Sequence, residues 1–257
     1  MHSVPRLCLL ALLVTIVACG GETRSAAEYE TPGELIAAMR EAYDGDWYDR
    51  LTFVQSTIQY DADGKADTTT WLEAMELPGK LRIDIGDAGS GNTLLFRNDS
   101  IYVFTRGVLS DARPTFHPLL LLGFDVYFVE PASVLNKLDS LGFDVSTLSD
   151  TTWQDRPTYV VGAERGDSTS QQFWIDKEHL YFVRLLQNVG DGTSRQDVRF
   201  NDYRRLGDAW VAPEVEFYID GRLQLREVYS EVREAERFDP LFFSPTTWRD
   251  AEHWHGP

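Results

Sequence analysis

The sequence predicts an α+β domain: one strongly curved antiparallel sheet of about ten to twelve strands, a half-barrel, with helices covering its concave face. Three observations carry that expectation. From Asp49 onward, β-branched and aromatic residues recur with a period of two. Short turn signals separate most of these runs, so each strand returns beside the one before it and the pairing is antiparallel. Two helical patterns interrupt the series, one ahead of the first strand and one at mid-chain. A sheet of this size twists and must curl, and something apolar has to fill its hollow side.

The elements follow in order. Thr31-Pro32-Gly33-Glu34 is a helix start, with Thr31 as cap, Pro32 in the first turn and Glu34 completing a capping box. Leu35, Ile36, Met39, Ala42 and Tyr43 then recur at helical spacing until Asp44-Gly45-Asp46. Strands are expected at residues 51–60, 68–76, 81–85, 92–97 and 101–106. At mid-chain, His117-Pro118-Leu119-Leu120-Leu121-Leu122-Gly123-Phe124 is a dense apolar patch, extended by Tyr127, Phe128 and Val129. It is too apolar to face water. Pro131 opens a second helix with Val134, Leu135, Leu138 and Leu141 on one face and Gly142 as its stop. Strands resume at 145–153, 158–164, 170–175, 181–187, 196–203, 210–219 and 223–232; Asp220-Gly221 is a type I′ hairpin signal.

The chain starts with a secretory signature. His2 and Arg6 precede an apolar run from Leu7 to Val17, shorter than the roughly 20 residues a spanning helix needs. Ile16-Val17-Ala18-Cys19-Gly20 resembles the lipobox of bacterial lipoproteins, which implies cleavage before Cys19 and lipid attachment there. Gly20, where an inner-membrane retention signal would have aspartate, implies the periplasmic face of the outer membrane. The expected organisation is a signal peptide at 1–18, a lipidated tether at 19–30, one domain at 31–245 and a flexible tail at 246–257.

Composition narrows the partners. With 41 acidic residues against 24 basic ones the net charge is −17, which makes nucleic acid and anionic headgroups poor partners. Both cysteines lie at the start, leaving the folded part without a disulfide, a cysteine metal site or a thiol nucleophile. No G-x-S-x-G, HExxH, P-loop or dinucleotide motif occurs. Asp61-Ala62-Asp63-Gly64 lacks the further ligands of a calcium loop and reads as a hairpin turn. Glu214 and Glu216 share a strand face that reads as solvated, and His117 and His179 have no spaced carboxylate partner. His253-Trp254-His255 falls in the acidic tail. The chain is therefore expected to be no enzyme and to use no metal or cofactor.

The order of elements, together with four local motifs, resembles the lipoprotein-carrier superfamily of LolA and LolB. The motifs are Pro78-Gly79-Lys80-Leu81-Arg82-Ile83-Asp84, Asn98-Asp99-Ser100-Ile101-Tyr102-Val103, Phe173-Trp174-Ile175-Asp176 and Val211-Ala212-Pro213-Glu214-Val215. They span roughly residues 31–232. The resemblance implies an apolar cavity between half-barrel and helices that holds acyl chains of lipid or lipoprotein, with a role in lipoprotein sorting or transport. The lipid anchor departs from the soluble carrier and favours a receptor-like or stand-alone lipoprotein. Cavity or lid residues are expected at Leu119, Leu120, Leu121, Leu122, Phe124, Tyr127 and Phe128, and on the strands at Phe53, Trp71, Phe96, Phe104 and Trp174. The alternative is a structural or signalling lipoprotein of the same fold, acting on an envelope protein partner without bound lipid.

Overall fold

A computed structural model describes residues 28–256. The expected signal peptide, Cys19 and most of the expected tether lie outside the described residues, as does Pro257.

Helix α1 (Pro32–Ala42) begins as its sequence dictates. The Thr31 side chain accepts from the Glu34 N–H, and Glu34 reaches back to the Thr31 N–H. Six strands follow: β1 (Arg50–Tyr60), β2 (Ala66–Glu76), β3 (Lys80–Ile85), β4 (Thr93–Arg97), β5 (Ser100–Thr105) and β6 (Val108–Pro114). The mid-chain insertion holds α2 (Pro118–Gly123), a 3₁₀ turn (Asp125–Tyr127) and α3 (Pro131–Ser140). Then come β7 (Leu148–Trp153), β8 (Arg156–Val161), β9 (Gln172–Asp176), β10 (Phe182–Val189) and β11 (Ser194–Asn201). A small ribbon, β12 (Arg204–Leu206) with β13 (Ala209–Val211), precedes the last two strands, β14 (Glu214–Ile219) and β15 (Arg222–Glu234).

Thirteen strands form one antiparallel sheet in the order β6-β5-β4-β3-β2-β1-β15-β14-β11-β10-β9-β8-β7. The count slightly exceeds the expectation because β6, an exposed and largely polar strand, has no period-two apolar face. Two meanders run in opposite directions and join where β1 pairs with β15, so the ends of the sheet's chain meet at its centre. Its edges, β6 and β7, are consecutive in sequence. The segment joining them, which carries α2 and α3, must therefore cross from one edge of the curled sheet to the other.

That crossing fills the concave side. One core unites α1, α2 and α3 with inward residues from both meanders, among them Leu51, Phe53, Ile83, Ile175, Leu185 and Val215. Tight turns preserve the alternation that makes this possible. Asn98 and Asp99 both take positive φ between β4 and β5, and Asp220-Gly221 does so between β14 and β15, as a type I′ hairpin requires. Asp61 closes the β1–β2 turn by accepting from the Asp63 and Lys65 N–H groups.

The other face has its own cover. The sequence predicts a flexible tail from residue 246, but residues 238–254 pack across the back of β2–β5. Phe242 and Phe243 cluster with Ala74, and Trp248 with Leu95 and Phe104. Aromatic side chains fix this strap, and its charged residues, read as a sign of solvation, conceal them. Tyr29, assigned to the tether, packs its ring 5.6 Å from that of Tyr159.

Candidate ligand-binding interior

The insertion across the concave side is a plug with defined attachments. At its start, the half-buried His117 ring accepts the Leu120 N–H at Nδ1 (3.1 Å) and stands edge-on to Phe96. Burial lowers its pKa to about 4, which keeps the accepting nitrogen free of a proton. Pro118 supplies the first helical residue, where no N–H is needed. Leu120, Leu121, Leu122, Phe124 and Tyr127 are buried in the common core, whereas Leu119 and Phe128 are half-buried at its margin. At Gly123 an added Cβ would lie 3.4 Å from the Phe200 ring, at ordinary contact distance, which places the plug directly against β11.

Two attachments close the far end. The Asp125 carboxylate accepts the Gly79 N–H at 2.8 Å. Burial pushes its pKa up to about 6, against the opposing pull of that N–H and of Lys137. Tyr127 stacks on Trp47 at 3.6 Å and meets Tyr43 edge-on. The Tyr43 hydroxyl in turn donates to the His179 carbonyl, tying α1 to the loop before β10.

Between plug and sheet, a cavity of about 30 Å³ is lined by Gly79, Phe96, His117, Leu120, Leu121 and Asp125. That is room for a water or two and not for an acyl chain. In this conformation the protein's own side chains occupy the space an acyl chain would need.

Of the strand residues expected to face inward, Phe53, Trp71 and Phe96 do. Phe53 stacks on Tyr229 at 4.2 Å. Phe104 and Trp174 do not, which corrects the expectation for both. Phe104 lies on the back face against Trp248, 5.0 Å between rings. Trp174 lies between the inward residues Phe173 and Ile175, and so points outward. There it meets Trp153 edge-on, with the Arg184 guanidinium 4.4 Å over its ring. The cause is strand parity, since a shift of one residue exchanges the faces.

Beyond the plug, the concave face turns polar at the centre of the sheet. Cross-strand partners share a face. Glu73 pairs with Phe53, Gln55 with both Trp71 and Tyr229, and Thr57 with Glu227. Glu73, Gln55 and Thr57 are buried. Glu227 keeps some contact with solvent, but protein atoms crowd it on every other side. Burial raises both carboxyls, Glu227 to about 7, and the charge of Glu227 pushes Glu73 up further. Hydrogen bonds from Tyr229 and Gln55 hold Glu227 partly in check. Sequence reasoning missed this group. Its one signal was Glu73 sitting between Trp71 and Met75 at a spacing of two, which places an acid on an apolar strand face.

A curled open sheet whose edges are joined by a helical plug defines a class of fold, and comparison with solved structures identifies it. A domain from Vibrio parahaemolyticus described as an outer-membrane lipoprotein-sorting protein superposes with a TM-score of 0.56 at 16% identity, over 83% of this chain and 97% of that one. A LolA superfamily protein from Nitrosomonas europaea gives 0.53 at 11% identity, over 83% and 98%. A DUF1329 family protein from Desulfovibrio piger gives 0.53 at 14% identity, over 83% and 95%. No protein-family profile and no curated protein matches the sequence. The chain has the LolA-like fold. Among the described residues, no helix is long and apolar enough to cross a membrane.

Proposed function

We propose that this protein is a lipid-anchored envelope lipoprotein that takes acyl chains of a lipid or lipoprotein into the concave interior when the plug moves aside. One observation supports this reading above others: the apolar segment from Leu119 to Phe128 is a connection between edge strands, not part of the sheet, and it occupies the hollow of a LolA-like fold. Moving it leaves every strand pairing intact. It exposes an apolar surface that needs a new cover, and an acyl chain is such a cover at about 0.8 kcal/mol per buried CH₂. The proposed lid and wall are Leu119 to Leu122, Phe124, Tyr127 and Phe128, with Phe53, Trp71 and Phe96 from the strands. The proposed anchor is Cys19, and the proposed location is the periplasmic face of the outer membrane.

Residues 28–256 hold the thirteen-stranded sheet and the elements packed on both its faces, so a chain lacking residues 1–20 retains all of these contacts. Native mass spectrometry and lipid extraction on that chain, followed by titration with a fluorescent fatty acid, test the reading. Bound lipid or saturable uptake is expected; a clean apo mass with no uptake overturns it. Metabolic palmitate labelling of the full chain, lost in Cys19→Ser, tests the anchor.

The filled interior favours a second reading, a structural or signalling lipoprotein that contacts an envelope protein through its acidic surface. Crosslinking in cells that returns one defined protein, with no lipid on the purified chain, would establish it instead.

A further inference from the structure

We propose that Glu73, Glu227 and Gln55 form a receptor for a primary ammonium group, so that the interior selects amphiphiles with an amine head. The inference rests on the acyl-binding reading and names the chemistry of the head.

Two carboxyls without a basic partner are costly to hold inside a protein. Glu73 is 5% exposed, and among the described residues no lysine, arginine or histidine acts on it or on Glu227. An independent observation points to a missing donor. Gln55 is wholly buried; its Nε2 donates to Thr57 Oγ1 at 2.8 Å, while its Oε1 accepts from nothing. An unpaired buried acceptor beside two carboxyls is a place where a ligand's N–H donors would find partners. A primary ammonium brings three such donors and the charge that two carboxylates lack. A quaternary ammonium would leave Gln55 unsatisfied.

The surroundings suit the rest of such a ligand. Trp71 and Tyr229 flank Gln55 on the neighbouring strands, and an indole such as that of Trp71 is a good partner for a cation. Trp71 and Glu227 are each only half-buried, which gives the group an opening to solvent. The plug lies against the same concave face, so an alkyl chain bound in its place would reach this group with its head.

The test compares n-octylamine with n-octanol, two chains of one length that differ in the charged head. Isothermal titration calorimetry on the chain lacking residues 1–20 is expected to show the amine binding about tenfold tighter or better, the scale of a charge-assisted hydrogen bond. Glu73→Gln and Glu227→Gln should each bring the amine to the level of the alcohol and leave alcohol binding unchanged. Thermal melting no lower than that of the parent shows that both variants are folded. Equal binding of amine and alcohol by the parent overturns the ammonium site and leaves acyl binding standing. Amine preference that survives in both variants also overturns it, because attraction to the acidic surface would then suffice. Binding of neither compound overturns acyl binding, and the ammonium site with it.

Discussion

Arg82 Nε donates to Asp84 Oδ2 at 2.8 Å between neighbours two apart on β3, and both side chains are almost wholly shielded from water. They lie on the back face, beneath the C-terminal strap. Arg82 also donates to the carbonyls of Phe242 and Trp248 (3.3 Å each), and its guanidinium lies 4.1 Å over the Phe242 ring. Asp84 accepts from Thr93 Oγ1 at 2.7 Å, and His253 Nε2 approaches its Oδ2 to 3.1 Å. One ion pair thus holds both ends of the strap.

Removing one partner leaves the other charged and buried. Asp84→Ala is therefore expected to cost about 3–5 kcal/mol in urea unfolding. Burial pushes the Asp84 carboxyl up, but the hydrogen bond to His253, the charge of Arg82 and the hydrogen bonds of Thr93 and Arg82 outweigh it, so the net shift is downward. A lowered carboxyl contributes stability above its ordinary pKa, lost as pH falls through the folded value. The strap should accordingly become sensitive to protease below the ordinary carboxylate range, and Asp84→Asn should flatten that acid dependence.

The Asp125 attachment titrates in the opposite sense. Its carboxyl is raised from 3.8 to about 6, so the folded state holds the proton more tightly than the unfolded chain does. That contribution favours folding at low pH and is lost as pH rises from 3.8 through about 6. Asp125→Asn keeps an acceptor for the Gly79 N–H without the charge. It should match the parent near pH 4 and be about 2–3 kcal/mol more stable at pH 7.5. Melting at the two pH values reads the difference; equal gains at both would refute the assignment.

The sheet was legible because each strand carries its own alternation and most turns announce themselves. Asp220-Gly221 and Asn98-Asp99 are examples where composition dictates positive φ. Inward facing was legible only where parity could be anchored. Phe53 shares the parity of the inward Leu51, whereas Phe104 alternates with Ile101 and Val103, which face the core, and its aromatic ring gave no sign of a second apolar layer on the back. The back-face strap was not legible, because its aromatics follow no period and the sheet residues they cover, Leu95 and Ala74, show no excess of apolarity. The acid floor was hidden for a different reason. In a chain with 41 acids, one more on a strand suggests solvent until tertiary contacts show otherwise.

If the plug is a lid, loosening it should lower stability and raise uptake together. Tyr127 is its best lever, since its ring stacks on Trp47 at 3.6 Å and its hydroxyl reaches the Leu180 carbonyl. Tyr127→Ala is expected to cost about 3–5 kcal/mol, as for other buried aromatics. The same variant should bind the fluorescent fatty acid faster than the parent in stopped-flow mixing. A loss of stability with unchanged uptake would mark Tyr127 as core alone.

Glu73 gives the sharpest separation of structure from function. A carboxyl raised by burial destabilises the fold at neutral pH, where the unfolded chain releases the proton freely. Glu73→Gln removes that penalty while keeping shape and hydrogen-bonding capacity. It should raise stability at pH 7.5 by about 1–3 kcal/mol and leave it nearly unchanged near pH 4, both read by urea unfolding. A residue retained for stability would behave in the reverse way, losing stability on neutralisation. If Glu73→Gln proves less stable at pH 7.5, the carboxylate has a favourable partner within the fold itself. The concave floor is then a structural network and not a site held open for a cation.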